Sequence, residues 1–587
     1  MDQSADMAQK YTEKPLDGLP VKEVNSCSTS NNPSEHMQEP AVDEKPQQED
    51  DAADASGGGG GWVMDTSDFP GPRALAFIMI GLFLALFAAN LDTTILATAI
   101  PYITNEFHTI KDVSWYGAAI MLVSAAFQST WGKIFKYFPK KLTFLLSMFI
   151  FEVGSLICAL APNSTALVVG RAITGLGASG VTAGVFILIA FSAPPKYVPA
   201  FMGLGGATYA VASLAGPLIG GALTQSVTWR WCFWINLPIG GVTAAIILLF
   251  YKTPKAAQPQ PATMREKILQ MDLVGTFLVM AAVVCFILAF QWGGSFKSWS
   301  DSTVIGTIIG FVLISALFVG NELYMGERAI LEPRLMRMRR VWANCAHVFF
   351  VSGGFFILIY YLPIYFQSVQ GASPIASGVR NLPINIGCFL SIAAGFVVSV
   401  YGRSWAPLMA IGAATATIGA GLMYTFGLDT SAGRYVGFQL IAGMGMGMTL
   451  QIPLMANQAA VPPMDISSVS AITLFFQIIG GSFSVACAQA AFASTLVKRI
   501  LVHAPNVDPS ALLHLGAAQL RVEFSGDELH GVLEAYMDGL KVSFAIAIAL
   551  LGVGFLFAFV PEWNDFRPGP QQQQAPASEE KDASEAA

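Results

Sequence analysis

Apolar residues in this chain gather into runs of about 20 separated by short polar breaks, and a run of that length matches the hydrocarbon core of a bilayer. The runs fall near residues 74–99, 115–135, 142–161, 166–190, 200–223, 230–251, 272–291, 302–325, 342–367, 377–400, 405–427, 433–456, 467–493 and 540–560. They predict fourteen transmembrane helices, numbered here in chain order. Residues 1–72 break the pattern: they are acidic, rich in Gln, Ser and Pro, and close with the run Gly57 to Gly61. Such a segment buries too little apolar area to fold, and 563–587 reads the same way, so both tails are expected to be disordered. No apolar core preceded by basic residues opens the chain, so helix 1 is expected to act as its own insertion signal.

Composition agrees with an all-α membrane protein and excludes a soluble one. With 54% hydrophobic residues, 12% charged and a mean hydropathy of +0.55, most of the 587 residues must lie in lipid. Lys and Arg collect in loops that stay in the cytosol. Lys133, Lys136, Lys140 and Lys141 follow helix 2, Lys252, Lys255, Arg265 and Lys267 follow helix 6, and Arg328, Arg334, Arg337, Arg339 and Arg340 follow helix 8. Both termini are therefore expected in the cytosol, with 494–539 a long loop on the other side. Asn163-Ser164-Thr165 is a glycosylation triplet on a non-cytosolic loop, which makes Asn163 a candidate acceptor. The net charge of −7 comes mostly from the tails and gives no sign of a nucleic-acid partner. Seven cysteines are scattered singly, without disulfide or metal-ligand spacing, and read as small packing residues.

An internal repeat organises the helices. Arg171-x-x-x-Gly175-x-Gly177 in helix 4 returns as Gln439-x-x-x-Gly443-x-Gly445 in helix 12. Gly132 with Pro139-Lys140-Lys141 after helix 2 is echoed by Gly395 with Gly402-Arg403 after helix 10, and Ile100-Pro101-Tyr102 by Leu362-Pro363-Ile364. Three markers in order at one nearly constant offset predict two six-helix halves, 73–251 and 342–562, with an inserted pair of helices within 252–341. Repeats of this kind enclose a binding site near the midplane.

Two charges stand out inside apolar helices, Asp92 in helix 1 and Arg171 in helix 4. An ionisable group there is costly and usually marks an ion or substrate path. Desolvation favours the neutral carboxyl and a nearby cation favours the charged one, so a contact that changes would let Asp92 bind and release a proton. A fixed structural ion pair, or Asp92 capping a broken helix end, is the other reading. Glu152 in helix 3 is a second proton-site candidate, with a packing role satisfied by Ser155 or a neighbouring helix as its alternative. His347 reads as a satisfied interior histidine, and Glu322 and Asp272 as groups at helix ends.

In its motifs the chain resembles a fourteen-helix drug:proton antiporter of the major facilitator superfamily, of the fungal efflux-pump type, over roughly 73–562. Leu91-Asp92-Thr93-Thr94 resembles the family's helix 1 element, and Arg171, Gly175 and Gly177 its helix 4 element. Gly216-Pro217-Leu218-Ile219-Gly220-Gly221 resembles the antiporter signature of helix 5. Trp229 to Pro238 is similar to a marker of the fourteen-helix branch. The signature's small residues, Gly216, Gly220 and Gly221, would let another helix approach while Pro217 bends its own. The resemblance implies that this element blocks proton leak. At two positions the chain departs from the family. Lys136 and Pro139 stand where an Asp and a second Gly are usual, which puts that loop's charge relay in question, and Ala212 replaces a Gly before the signature.

By analogy with the family, helices 1, 4, 5, 9, 10, 12 and 13 would line the cavity. Helix 9 offers Phe355, Tyr360 and Tyr361; Arg380, Gln439, Gln451 and Gln477 add polar groups. Adaptable aromatic surface with a few amides fits a hydrophobic, weakly polar organic molecule. Gly175 to Gly180 carries a dinucleotide-type glycine pattern but lies within a membrane helix, and no Walker-type loop occurs, which argues against ATP-driven pumping or an enzyme. The expected function is efflux of a toxin, secondary metabolite or drug by proton antiport, with no cofactor or metal beyond the proton gradient, by a monomer in the plasma membrane. A vacuolar location, a vacuolar proton antiporter for basic amino acids, and a non-transporting membrane sensor are the alternatives.

Overall fold

The computed structural model describes residues 69–108, 113–194, 197–293, 297–400, 405–508 and 520–561. Apart from residues 69–72, both expected tails lie outside it, as does the Gly402-Arg403 repeat marker. Every regular element among the described residues is helical except for one isolated bridge between Gly293 and Lys297. That is what lipid demands, because a helix satisfies its own backbone polar groups.

The first six long helices are α1 (Pro72–Phe107), α2 (Val113–Tyr137), α3 (Lys140–Ala159), α4 (Ser164–Ser192), α5 (Val198–Ser226) and α6 (Asn236–Phe250). Then come α7 (Leu273–Trp292) and α8 (Ser302–Met325). The remainder are α9 (Arg339–Ser368), α10 (Leu382–Val400), α11 (Ala406–Tyr424), α12 (Ala432–Thr449), α13 (Ile466–His503) and α14 (Gly526–Phe557). Twelve stretches among the described residues are long and apolar enough to cross a membrane. Helices α2 and α10 fall outside that set; in α2, Gln128 and its neighbours Ser129 and Thr130 dilute the hydropathy.

The stretch 494–539, expected as a loop, is helical over much of its length: α13 continues to His503 and α14 begins at Gly526. Charged side chains on these extensions pair with each other, Arg499 with Asp538 at 3.3 Å and His503 with Glu534 at 3.1 Å. They lower the hydropathy without breaking the helices.

Helices α1 to α6 pack on one another, α9 to α14 do the same, and the two groups meet where α2 lies along α13 and α5 along α10. The sequence repeat is visible in this packing. A Cβ on Gly175 of α4 would run into the Ile120 backbone of α2, and one on Gly177 into the Phe151 backbone of α3. In α12, Gly443 meets Ile384 of α10 and Gly445 meets Ala416 of α11 in the same way. The residues that head the two motifs both donate to a neighbouring main-chain carbonyl, Arg171 to Tyr116 and Gln439 to Arg380. Helix α7 packs on α2 and α13, and α8 rests on α7 with only 11% of its apolar window buried, which leaves the rest to face lipid.

Candidate functional site

Asp92 and Arg171 meet in the interior of the first group, both without solvent exposure. Arg171 Nη1 donates to Asp92 Oδ2, and Nε donates to the Tyr116 carbonyl at 2.9 Å. The guanidinium lies 5.7 Å from the centre of the Phe233 ring, a cation–π arrangement. Asn236, at the start of α6, donates to Asp92 Oδ1 at 3.0 Å and to Ser155 Oγ at 3.1 Å. Each carboxylate oxygen thus has its own partner, one charged and one neutral. Arg171 Nη2 and Asn236 Oδ1 are buried without a hydrogen-bond partner. Buried polar groups are nearly always paired, and exceptions mark strained or working sites.

Glu152 lies one helical turn before Ser155, but its carboxylate does not use Ser155, and both oxygens are buried without a partner. It rests against α6, where any Cβ on Gly240 would overlap Oε1.

The antiporter-like element of α5 packs on α1 just beyond Asp92. Side chains added at Gly216 or Gly220 would strike Thr94, Ile95 and Thr98, whereas Gly221 has nothing within 4 Å. Thr94 Oγ1 donates to the Ala212 carbonyl at 3.0 Å, and Pro217 sits inside the helix. Gly216→Val should therefore force α1 and α5 apart. We expect a cost of about 1–3 kcal/mol, typical of overpacking, visible as a lower thermal unfolding midpoint of purified protein; Gly221→Val should leave that midpoint unchanged.

Between the groups, the Tyr209 ring of α5 lies 6.2 Å from both Phe355 and Phe356 of α9. Gln451, which follows α12, lies against Gly206 of α5, and its Oε1 is buried and unpartnered. Phe355 and Gln451 thus reach the meeting of the halves, with Tyr209, which sequence reasoning passed over. The other two aromatic candidates lie elsewhere. Tyr361 is buried within the second group, 5.7 Å from the Phe492 ring, and Tyr360 is 59% exposed on the outside. Helix α9 is apolar on nearly every side, so its sequence could not say which aromatic faces inward. Arg380 donates to Gln370 Oε1 at 2.8 Å, Gln439 donates to the Arg380 carbonyl at 3.0 Å, and the half-buried Gln477 offers its carbonyl to Ser352 at 2.8 Å.

His347 is buried between the Gly554 carbonyl and Thr449 Oγ1, at 2.8 and 2.7 Å. Glu322 accepts from the Leu331 amide at 2.7 Å, and Asp272 caps α7 through the Gly275 amide at 2.9 Å. Asn163 is exposed, and its Oδ1 caps α4 by accepting from the Ala166 amide at 2.9 Å, a role that leaves Nδ2 outside the cap. Among the described residues no group of three His, Cys, Asp or Glu could hold a metal, and six cysteines are free.

Sequence reasoning also missed a charge cluster at the lysine-rich end of the bundle. Glu332, fully buried before α9, takes Lys133 at 2.8 Å and Lys136 at 3.1 Å on Oε1, with Ser468 Oγ donating at 2.9 Å. Lys136 also reaches Asp465 Oδ1 at 2.9 Å at the head of α13, and Arg334 closes the far side of Asp465 at 2.9 Å. Burial alone pushes the Glu332 carboxyl up, and the Lys133 and Lys136 charges outweigh it and hold it below the usual carboxylate range. The cations come from the end of α2, Lys136 at a position where the resembled family usually has an Asp, and the carboxylates come from the partner segments.

Two groups of membrane-length helices, joined by an aromatic contact at the middle and charge pairs at one end, form the frame of a membrane transport protein. The chain belongs to the Major Facilitator Superfamily, whose family model matches residues 82–485. MFS-type transporter grgE of a Penicillium species is 48% identical, over 85% of this chain and 88% of that protein. Probable efflux pump gsfJ of Penicillium aethiopicum is 48% identical over 85% and 89%, and MFS-type efflux pump MFS1 of Trichophyton rubrum 40% identical over 84% and 92%. Among solved structures, the proton:xylose symporter XylE aligns with a TM-score of 0.54 at 14% identity, covering 84% of this chain and 96% of XylE. The human organic anion transporter MFSD10 aligns with a TM-score of 0.53 at 12% identity, covering 82% and 99%. At that identity these two likenesses speak for the fold alone.

Proposed function

We propose that this transporter exports a hydrophobic organic compound, a toxin, secondary metabolite or drug, in exchange for protons. The relatives named as efflux pumps support the direction of transport. The observation that carries proton exchange is the buried Asp92, held by Arg171 on one oxygen and Asn236 on the other beside the α1–α5 packing seam. Protonation of Asp92 would remove the charge that faces Arg171, and the guanidinium would keep the Tyr116 and Asp92 main-chain carbonyls and the Phe233 ring. Glu152, unpartnered one turn from Ser155, is the second proton carrier in this scheme. Helix α5 links the two events, since it packs on α1 through Gly216 and Gly220 and carries Tyr209 into the contact with α9.

In this scheme the protein has fourteen membrane helices, six in each half (73–251 and 342–562) and an inserted pair between them. Helices α2 and α10 count among them because each packs inside its own half and lies along the other at the seam. The lysine-rich end faces the cytosol together with both termini, and the protein works as a monomer in the plasma membrane. An Asn163→Gln variant should migrate as a smaller species on a denaturing gel if the opposite face is glycosylated; unchanged migration in an expressing eukaryotic host would mean that Asn163 is unmodified.

The substrate class is tested by accumulation assays in pump-deficient cells. Expression should lower retention of hydrophobic, weakly polar compounds and leave retention of lysine and arginine unchanged. Tyr209→Ala and Phe355→Ala should raise the half-saturating concentration roughly tenfold, the equivalent of about 1.4 kcal/mol. Retention equal with and without the protein across such a panel would sink this reading.

A further inference from the structure

At the lysine-rich end the buried Lys140 has no counter-charge among the described residues. Lys140, the first residue of α3, is 3% exposed. Its Nζ donates to the Ala257 carbonyl at 2.8 Å and lies 4.7 Å from the centre of the Phe191 ring. Among the described residues no carboxylate pairs with it, in contrast to Lys133 and Lys136.

Its surroundings add positive character. Helix α3 points its N-terminus here, Pro139 supplies no side-chain cap, and the first turn holds no acidic residue. Helix N-termini carry a partial positive charge and favour anions, yet this one opens with Lys140 and Lys141. Lys141 turns to the Leu248 carbonyl at 2.8 Å. A cavity of about 290 Å³ opens beside Lys140, lined also by Lys136, Ala256, Gln258, Gln260, Pro462 and Pro463. It is large enough for a small polyatomic anion, and Gln258 and Gln260 line it together with Lys140.

We propose that this cavity binds a phosphate-bearing anion, with Lys140 as its charge contact and the side-chain amides of Gln258 and Gln260 beside it. The walls come from both halves and the connection between them: Lys136 and Lys140 belong to the first half, Gln258 and Gln260 to the connection, and Pro462 and Pro463 lead into α13. A ligand that touches both favours the arrangement in which this end is closed, because it binds that arrangement better than the separated one. The ligand chemistry is shared by free phosphate compounds and by the headgroups of anionic phospholipids. This site is separate from the Asp92 region and does not depend on proton exchange.

The test is thermal unfolding of the full-length purified protein, followed by tryptophan fluorescence. One arm titrates inorganic phosphate against chloride at equal ionic strength, in detergent. The other compares nanodiscs of phosphatidylcholine with nanodiscs containing phosphatidylglycerol. A saturable rise in the midpoint with phosphate identifies a free anion, and a rise confined to phosphatidylglycerol identifies a headgroup; both support the site. Lys140→Gln should weaken the response at least tenfold in concentration, while Lys141→Gln should respond like the wild type. Ala256→Phe, which fills the cavity and keeps every charge, should abolish the response even if Lys140→Gln does not fold. No shift of the wild-type midpoint in either arm, or an Ala256→Phe response equal to the wild type's, would overturn the proposal.

Discussion

Asp92→Asn should abolish gradient-driven transport while the protein still assembles and binds substrate. Asn matches the size of Asp and can still meet Arg171 and Asn236, so the packing of α1 on α5 through Gly216 and Gly220 survives. What is lost is the titratable group and the charge that faces Arg171. Positioned proton transfer is worth about a hundredfold or more in rate, and the gradient-driven component should fall by at least that much. Substrate-for-substrate exchange, which moves no proton, should persist and lose its pH dependence. That split separates proton coupling from architecture: a structural ion pair would lower yield and unfolding midpoint and reduce both kinds of flux in proportion.

The second large effect is expected at Glu332. Its carboxylate is shared by Lys133 and Lys136, all three buried. Glu332→Gln leaves buried ammonium groups under-compensated, and breaking a buried pair from one side costs about 3–5 kcal/mol. Lys136 retains Asp465, so the lower end of that range applies. The unfolding midpoint of the purified protein should fall, and Lys133→Met combined with Glu332→Gln should recover part of the loss. An undiminished midpoint in Glu332→Gln would show that the cluster does not hold this end together. The pH dependence has a definite sign. The folded-state pKa of Glu332 lies below the ordinary carboxylate value, so its contribution is full above that ordinary value and is lost as pH falls through the depressed one. Acid should therefore weaken this end, and the Gln variant should lose that part of the acid sensitivity.

Much of the frame was legible because lipid writes a strong signal. Hydropathy runs located the helices, and glycine spacing exposed a repeat that returns in the packing of α4 and α12. Asp92 and Arg171 were legible because a charge in an apolar run is conspicuous, and the structure pairs them. Asn236 was not, since one neutral amide at a helix start barely alters the hydropathy, although it holds the second oxygen of Asp92. Glu332 and Asp465 lie in connections that a hydropathy reading treats as spacers, so their link to Lys136 depended on the folded arrangement. Among the aromatics, only three-dimensional packing distinguishes Phe355, against Tyr209, from Tyr360 on the outside. Charged helix ends misled the boundaries near 494–539 for the same reason that Lys133 and Lys136 were conspicuous: hydropathy registers a charge without saying whether it pairs.

Proton exchange is tested in proteoliposomes. A transported hydrophobic compound is followed fluorometrically while a pH gradient is imposed across the membrane and then collapsed with a protonophore. The compound should accumulate against its gradient only while the pH gradient stands, with matching proton flux in the opposite direction and neither flux in Asp92→Asn. Transport at the same rate before and after collapse, or full coupling in Asp92→Asn, would contradict it.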